Sequence, residues 1–253
     1  MRRILTIRSL EIGTGRPKII VPIVDESREE IMQKAAGLKK VRAEVVEWRA
    51  DFYSGVLDPA RLLCLLAELR GILVDIPLLF TLRTEAEGGA RQVSASEYMD
   101  LNITAAQSRY VDLVDVEIFA KSAEQIICAA HEAGALVVGS NHDFSATPPK
   151  GEIVQRLCWA QRLGADILKI AVMPTCAEDV LTLLLASHEM YTRHTDRPII
   201  AISMSAMGLI SRVCGATFGC ALTFGYAGNA SAPGQIPMED LELMLGIMHK
   251  YGG

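Results

Sequence analysis

Lys169 stands inside an apolar run, Ile167-Leu168-Lys169-Ile170-Ala171-Val172. An ammonium is expensive to bury there, whereas an amine freed of its proton in dry surroundings attacks a ketone or aldehyde carbon. His142 ends a second run, Gly139-Ser140-Asn141-His142-Asp143, while His131, His188, His194 and His249 fall on helix-like stretches. A histidine beside an imine is a natural acid and base, worth about 10²–10⁴ in rate. Arg83 and Arg212 could each grip a carboxylate with a guanidinium fork. Period-two alternation puts Glu47, Arg49 and Asp51 on one face of a strand, and Asp115 and Glu117 on one face of another. Bland readings stand beside these: Lys169 in a core ion pair, His142 bonded to Asp143 or Glu87, and the arginines paired with Glu47, Asp51 or Asp115. Charges converging from many strands cost folding energy unless paired, so the cluster as a whole points to a polar ligand.

These residues lie on elements that alternate. Apolar runs rich in Val, Ile and Leu cover Lys18–Val24, Glu44–Asp51, Pro77–Arg83, Leu113–Phe119, Ala135–Asp143, Ile167–Pro174, Pro198–Ser205 and Cys220–Tyr226. Helical periodicity fills the intervals, at about 26–40, 59–71, 94–109, 121–133, 150–164, 177–194 and 206–215, with a last helix near 238–250. Ser94 with Glu97 forms a capping pattern, Asp58-Pro59 marks a helix start, and Gly134 and Gly164 mark helix ends. The alternation predicts an α/β protein with a parallel sheet. Eight βα units in 253 residues fit a closed (β/α)8 TIM barrel, and the turn after the first long run, Val24-Asp25-Glu26-Ser27, lacks the glycines of a dinucleotide fold. The first dozen residues read as a short N-terminal β-hairpin. No linker interrupts the pattern, so residues 1–253 are expected to form a single domain.

Composition narrows the function classes. Half the residues are apolar, 22% are charged, and the net charge is −5. With no basic run, nucleic acid is not an expected partner. No apolar stretch reaches the roughly 18 residues of a membrane span, and the apolar part of the N-terminus is too short for a signal peptide, so a cytoplasmic location is expected. The cysteines, Cys64, Cys128, Cys158, Cys176, Cys214 and Cys220, are scattered without ligand spacing and read as reduced structural thiols. No metal site is expected. Gly88-Gly89 could cradle a phosphate, but no helix start follows closely.

Several segments resemble the type I 3-dehydroquinate dehydratase family. They are Glu47-Trp48-Arg49, Thr81-Leu82-Arg83, Asp115-Val116-Glu117, Ser140-Asn141-His142-Asp143-Phe144, Lys169 through Pro174, Ile210-Ser211-Arg212, and Ser231-Ala232-Pro233-Gly234-Gln235. The resemblance runs in order over most of the chain. It implies a TIM barrel, usually a homodimer, that converts 3-dehydroquinate to 3-dehydroshikimate without metal or cofactor. On that resemblance Lys169 forms an imine with the C3 ketone, His142 moves the proton from C2 and protonates the leaving C1 hydroxyl, and Glu87 assists His142. Arg212 takes the substrate carboxylate, and Glu47, Trp48, Arg49, Arg83, Ser231 and Gln235 bind the rest of the substrate. One departure is Pro22, where many members carry serine. A sugar-phosphate aldolase would share the strand lysine but needs a phosphate site. A catalytically silent barrel would not need both Lys169 and His142.

Overall fold

The computed structural model describes residues 3–228 and 234–252. An antiparallel hairpin comes first, β1 (Leu5–Ile7) and β2 (Leu10–Ile12), with Leu5 opposite Ile12. Parallel strands follow: β3 (Lys18–Ile23), β4 (Val45–Arg49), β5 (Leu78–Thr81), β6 (Leu113–Glu117), β7 (Leu136–Asp143), β8 (Ile167–Val172), β9 (Ile199–Ser203) and β10 (Leu222–Tyr226). Helices α1 (Arg28–Lys40), α2 (Pro59–Leu73), α3 (Ala95–Gln107), α4 (Ala123–Ala133), α5 (Lys150–Leu163), α6 (Ala177–Glu189), α7 (Ile210–Cys214) and α8 (Met238–Tyr251) alternate with them. The sheet closes where Ile199 bridges Cys220, and the Ala221 N–H donates to the Ile199 carbonyl at 3.0 Å. The result is the expected (β/α)8 barrel with its N-terminal hairpin. Among the described residues no helix is long and apolar enough to cross a membrane.

Local chemistry sets the helix ends. Ser94 and Glu97 form a reciprocal capping box, and Asp58 accepts from the N–H groups of Ala60 and Arg61 ahead of Pro59. Gly134 and Gly164 cap α4 and α5 in the left-handed region, at φ of 86° and 105°. The stretch 206–215 is less helical than its periodicity suggests. Ser205 sits at φ 61°, and a Cβ on Gly208 would lie 2.2 Å from the Ser203 carbonyl oxygen. The chain therefore turns tightly before α7 begins. A short strand, β11 (Ile236–Pro237), pairs with β10 and was not expected.

The barrel has two distinct ends. At the N-terminal end, Leu5, Ile7 and Ile12 of the hairpin pack with Ile20, Val45, Leu113 and Ile167 inside the barrel. Three acids lie immediately before alternate strands: Glu44, Asp112 and Asp166. Each accepts a backbone N–H from the preceding strand, of Ile19, Leu78 and Val137 respectively, and each also pairs with an arginine of the N-terminal segment, Arg16, Arg8 and Arg3. The plug frees the opposite, C-terminal end to be polar, which is where barrel sites form.

Candidate active site

Strand periodicity decides which side chains enter the cavity. On β8, Ile167, Lys169 and Ala171 point inward, and Leu168 and Ile170 pack against helices. Lys169 is only 5% exposed. Its Nζ lies 3.0 Å from Asp115 Oδ2 and 3.7 Å from Glu47 Oε1, and 4.7 Å from the centre of the Phe224 ring. Asp115 also accepts from Arg83 at 2.8 Å and Ser140 at 2.5 Å. Burial alone would push this carboxyl up, but Arg83, Lys169 and these hydrogen bonds outweigh it and hold Asp115 at about 2. Asp115 is thus a fixed negative charge beneath the amine.

His142 lies on the neighbouring strand β7, its side chain 11% exposed, and shares a cavity with Lys169, Glu47, Arg49, Arg83, Glu87, Arg212 and Gln235. Glu87 Oε2 sits 3.0 Å from His142 Nδ1 and accepts the His142 backbone N–H at 2.9 Å. Glu87 Oε1 accepts from Asn141 at 3.0 Å. Burial raises the Glu87 carboxyl to about 7, against the pull of Arg83. Burial and the cations Arg83, Lys169 and Arg49 hold the His142 imidazole well below its usual value. At neutral pH the ring is therefore uncharged, with Nδ1 turned to Glu87 and Nε2 free to take a proton.

The arginines divide their attention. Arg83 is buried, and three carboxylates, Asp115, Glu117 and Glu87, lie within 2.8, 3.1 and 3.7 Å of its guanidinium. Arg49 forks onto Asp51 with bonds of 2.8 and 2.7 Å. So the ion-pair reading holds for Arg83, and Arg49 is paired as well, although both also line the cavity. Arg212 donates to the carbonyl of Gly234 at 2.8 Å, and burial pulls its guanidinium down to about 10. The backbone there is close-packed, because a Cβ on Gly234 would lie 2.0 Å from the Ser205 carbonyl oxygen.

One expectation changes, and one reading already set aside stays so. Trp48 does not join the substrate-binding set. Its neighbours Glu47 and Arg49 face the cavity, so the pleat turns Trp48 outward, where it is fully buried between Tyr53 and Phe80 at centroid distances of 6.1 and 5.7 Å. We expect Trp48→Ala to destabilise the fold by about 3–5 kcal/mol while leaving KM within twofold at temperatures where the variant is folded; calorimetry and kinetics on one preparation read both. Gly88-Gly89 is no phosphate cradle. The Gly88 and Gly89 N–H groups bond inside their own turn, to Glu85 and Thr84. Gly88 takes φ 82° under Phe144, where a Cβ would lie 2.3 Å from the ring. Ser231 lies outside the described residues.

Sequence reasoning missed the apolar wall of the cavity: Phe144, Ala171, Ile202, Met204 and Phe224. Met204 and Phe224 continue the inward alternation of β9 and β10, which is the signal that could have found them. Among the described residues no group of three or more His, Cys, Asp and Glu side chains could hold a metal ion.

A parallel barrel with one buried strand amine, a fixed carboxylate under it and a histidine–carboxylate pair beside it defines a (β/α)8 site built for amine chemistry on a carbonyl compound. Known proteins give the particular family. A model of type I 3-dehydroquinase matches residues 19–252. The chain is 46% identical over 252 residues to a 3-dehydroquinate dehydratase of Clostridioides difficile, covering 99% of both chains. Its fold is similar to the crystal structure of a type I 3-dehydroquinate dehydratase from Clostridium difficile bearing covalently modified comenic acid, with TM-score 0.96 over 99% of both chains. It is equally similar to a 3-dehydroquinate dehydratase from Geobacillus kaustophilus, with TM-score 0.96 and 35% identity over 100% of both chains. This chain belongs to the type I 3-dehydroquinase family.

Proposed function

We propose that this chain dehydrates 3-dehydroquinate to 3-dehydroshikimate in the shikimate pathway, as a hydro-lyase working through a lysine imine. The observation that carries the reading is the buried Lys169 Nζ, 3.0 Å from Asp115 and in one cavity with the His142–Glu87 pair. The amine adds to the C3 carbonyl carbon and water leaves, giving an imine. Once protonated, the imine draws electrons far better than the ketone did. Asp115, held ionised, stabilises that positive charge without reorganising.

His142 then takes a proton from C2. The electron pair moves into the C2–C3 bond as an enamine, which expels the C1 hydroxyl. The same imidazole returns its proton to that hydroxyl, so water leaves on the face from which the proton came, a syn elimination. Hydrolysis of the remaining imine frees product and regenerates the amine, and the net loss is one water. Arg212 would take the substrate carboxylate. Glu47, Arg49, Arg83 and Gln235 line the remaining cavity and would fix the ring hydroxyls, with Ser231 completing the set. Pro22 pairs in register with Glu47; it offers no hydroxyl there, which removes one substrate hydrogen bond and none of the reacting groups.

The test is direct. Adding 3-dehydroquinate to the purified protein produces the absorbance of the conjugated enone. Folded protein that yields no such absorbance across neutral pH would overturn the reading. The same reading takes residues 1–253 as one barrel domain and the enzyme as a cytoplasmic homodimer with no cofactor, the dimer being checked by sedimentation.

A further inference from the structure

We infer that Arg156, on the outer helix α5, is a positioning residue for His142, acting through the Asn141 amide and the Glu87 carboxylate. The chain of contacts is continuous. Arg156 Nη1 donates to Asn141 Oδ1 at 2.9 Å, Asn141 Nδ2 donates to Glu87 Oε1 at 3.0 Å, and Glu87 Oε2 meets His142 Nδ1 at 3.0 Å. Asn141 lies between Ser140 and His142 on β7. Its neighbours face the cavity, so its own side chain turns toward the helix layer, and that is how it reaches Arg156.

The chemistry of the two partners makes this a selecting contact. A carboxamide can sit in either of two orientations that fill the same space. Only one of them offers its N–H to Glu87; the other sets a carbonyl oxygen against a carboxylate. A guanidinium has donors and no acceptor, so Arg156 admits only the first. Arg156 is itself held on both sides, by Asp143 Oδ2 at 3.2 Å and by Glu152 Oε1 at 3.1 Å. An arginine nearly at the surface thereby fixes which lone pairs of Glu87 face His142, and hence the tilt and tautomer of the ring.

The charged groups around the pair set the sign of the effect. Arg83 from the end of β5 and Glu117 from β6 face Glu87; Arg83, Lys169 from β8 and Arg49 from β4 face His142. Asp143, Glu152 and Arg156 lie behind. Removing the Asn141 donor or the Arg156 charge takes stabilisation from the Glu87 anion, so its carboxyl titrates at higher pH.

This inference rests on the proposed dehydratase reading, so the experiment has one arm that needs substrate and one that does not. In Arg156→Met we expect kcat to fall about five- to tenfold, as for one lost charge-assisted hydrogen bond, with KM within twofold. The acid limb of the pH–rate profile should move up by about half to one unit. Arg156→Lys, which keeps the charge and one donor, should restore most of both. Asn141→Leu should reproduce the shift, and adding Arg156→Met to it should change little further, because residues in one chain of contacts are not additive. NMR titration of the His142 ring in the ligand-free protein should show the same shift in Arg156→Met. A lowered melting temperature with an unmoved acid limb and an unmoved His142 titration would make Arg156 a simple clamp between α5 and β7 and overturn the inference, as would additive single and double variants. A shifted His142 titration in a protein that does not dehydrate 3-dehydroquinate would sustain the relay and overturn the function instead.

Discussion

Lys169→Ala lowers kcat by about 10⁴-fold or more, the scale expected when a covalent nucleophile is removed, and leaves the barrel folded. The first half follows from the chemistry: without the amine no protonated imine forms, and His142 faces a C2–H made acidic only by a ketone. The second half follows from what Lys169 leaves behind. Breaking a buried ion pair costs about 3–5 kcal/mol when one charge is stranded. Asp115 is not stranded, because Arg83 at 2.8 Å and Ser140 at 2.5 Å remain on the carboxylate. The destabilisation should therefore fall below that range, which thermal unfolding reads directly. Borohydride gives the covalent counterpart. With 3-dehydroquinate present it should inactivate the wild-type chain and add mass at Lys169, and it should leave Lys169→Ala unmodified. A variant retaining near wild-type turnover, or a wild-type chain still active and unmodified after that treatment, would make Lys169 structural.

What could be read from the sequence depended on whether a residue's neighbours along the chain are also its neighbours in space. The barrel was legible because each strand is a local apolar run and each helix a local period. Lys169 and His142 were legible because a titratable group inside such a run stands out. Trp48 misled because it lies between two cavity residues in the chain, yet the pleat sends it to the opposite face. Glu44, Asp112 and Asp166 were passed over because an acid ahead of a strand looks like solvated loop. Nothing local shows that each takes a strand N–H and an N-terminal arginine at once. Arg156 was hidden for the same reason: an arginine on a helix reads as a solvent face, and its partner Asn141 is 15 residues away on a strand. Arg83 was open between ligand and ion pair, and three surrounding carboxylates show that pairing alone can account for its burial.

Turnover falls as pH drops through about 7, and the proton responsible belongs to the Glu87–His142 pair. Burial raises Glu87 to about 7, while burial and nearby cations push the His142 ring well below its usual value. The first proton taken up on acidification therefore goes to the carboxylate. A protonated Glu87 donates to Nδ1, and the imidazole shifts its own proton to Nε2, the atom that must accept from C2. The base is lost although the ring carries no added charge. Below the midpoint the rate should fall about tenfold per pH unit, as for loss of one essential base. The same group leaves a mark on stability. Its folded value lies above the ordinary 4.5, so its stabilising contribution is present at pH below about 4.5 and is lost as pH rises through about 7. Asp115, held near 2, acts in the opposite sense and weakens the fold only as pH falls from about 3.8 through that value. Glu87→Gln separates the carboxylate from the ring: the residual rate should be lower, and its acid limb should move down to where the buried imidazole titrates, well below the ordinary histidine range. A limb that stays near 7 in Glu87→Gln, or a wild-type profile flat from about pH 5 to 8 with chemistry rate-limiting, would remove the pair from the proton path.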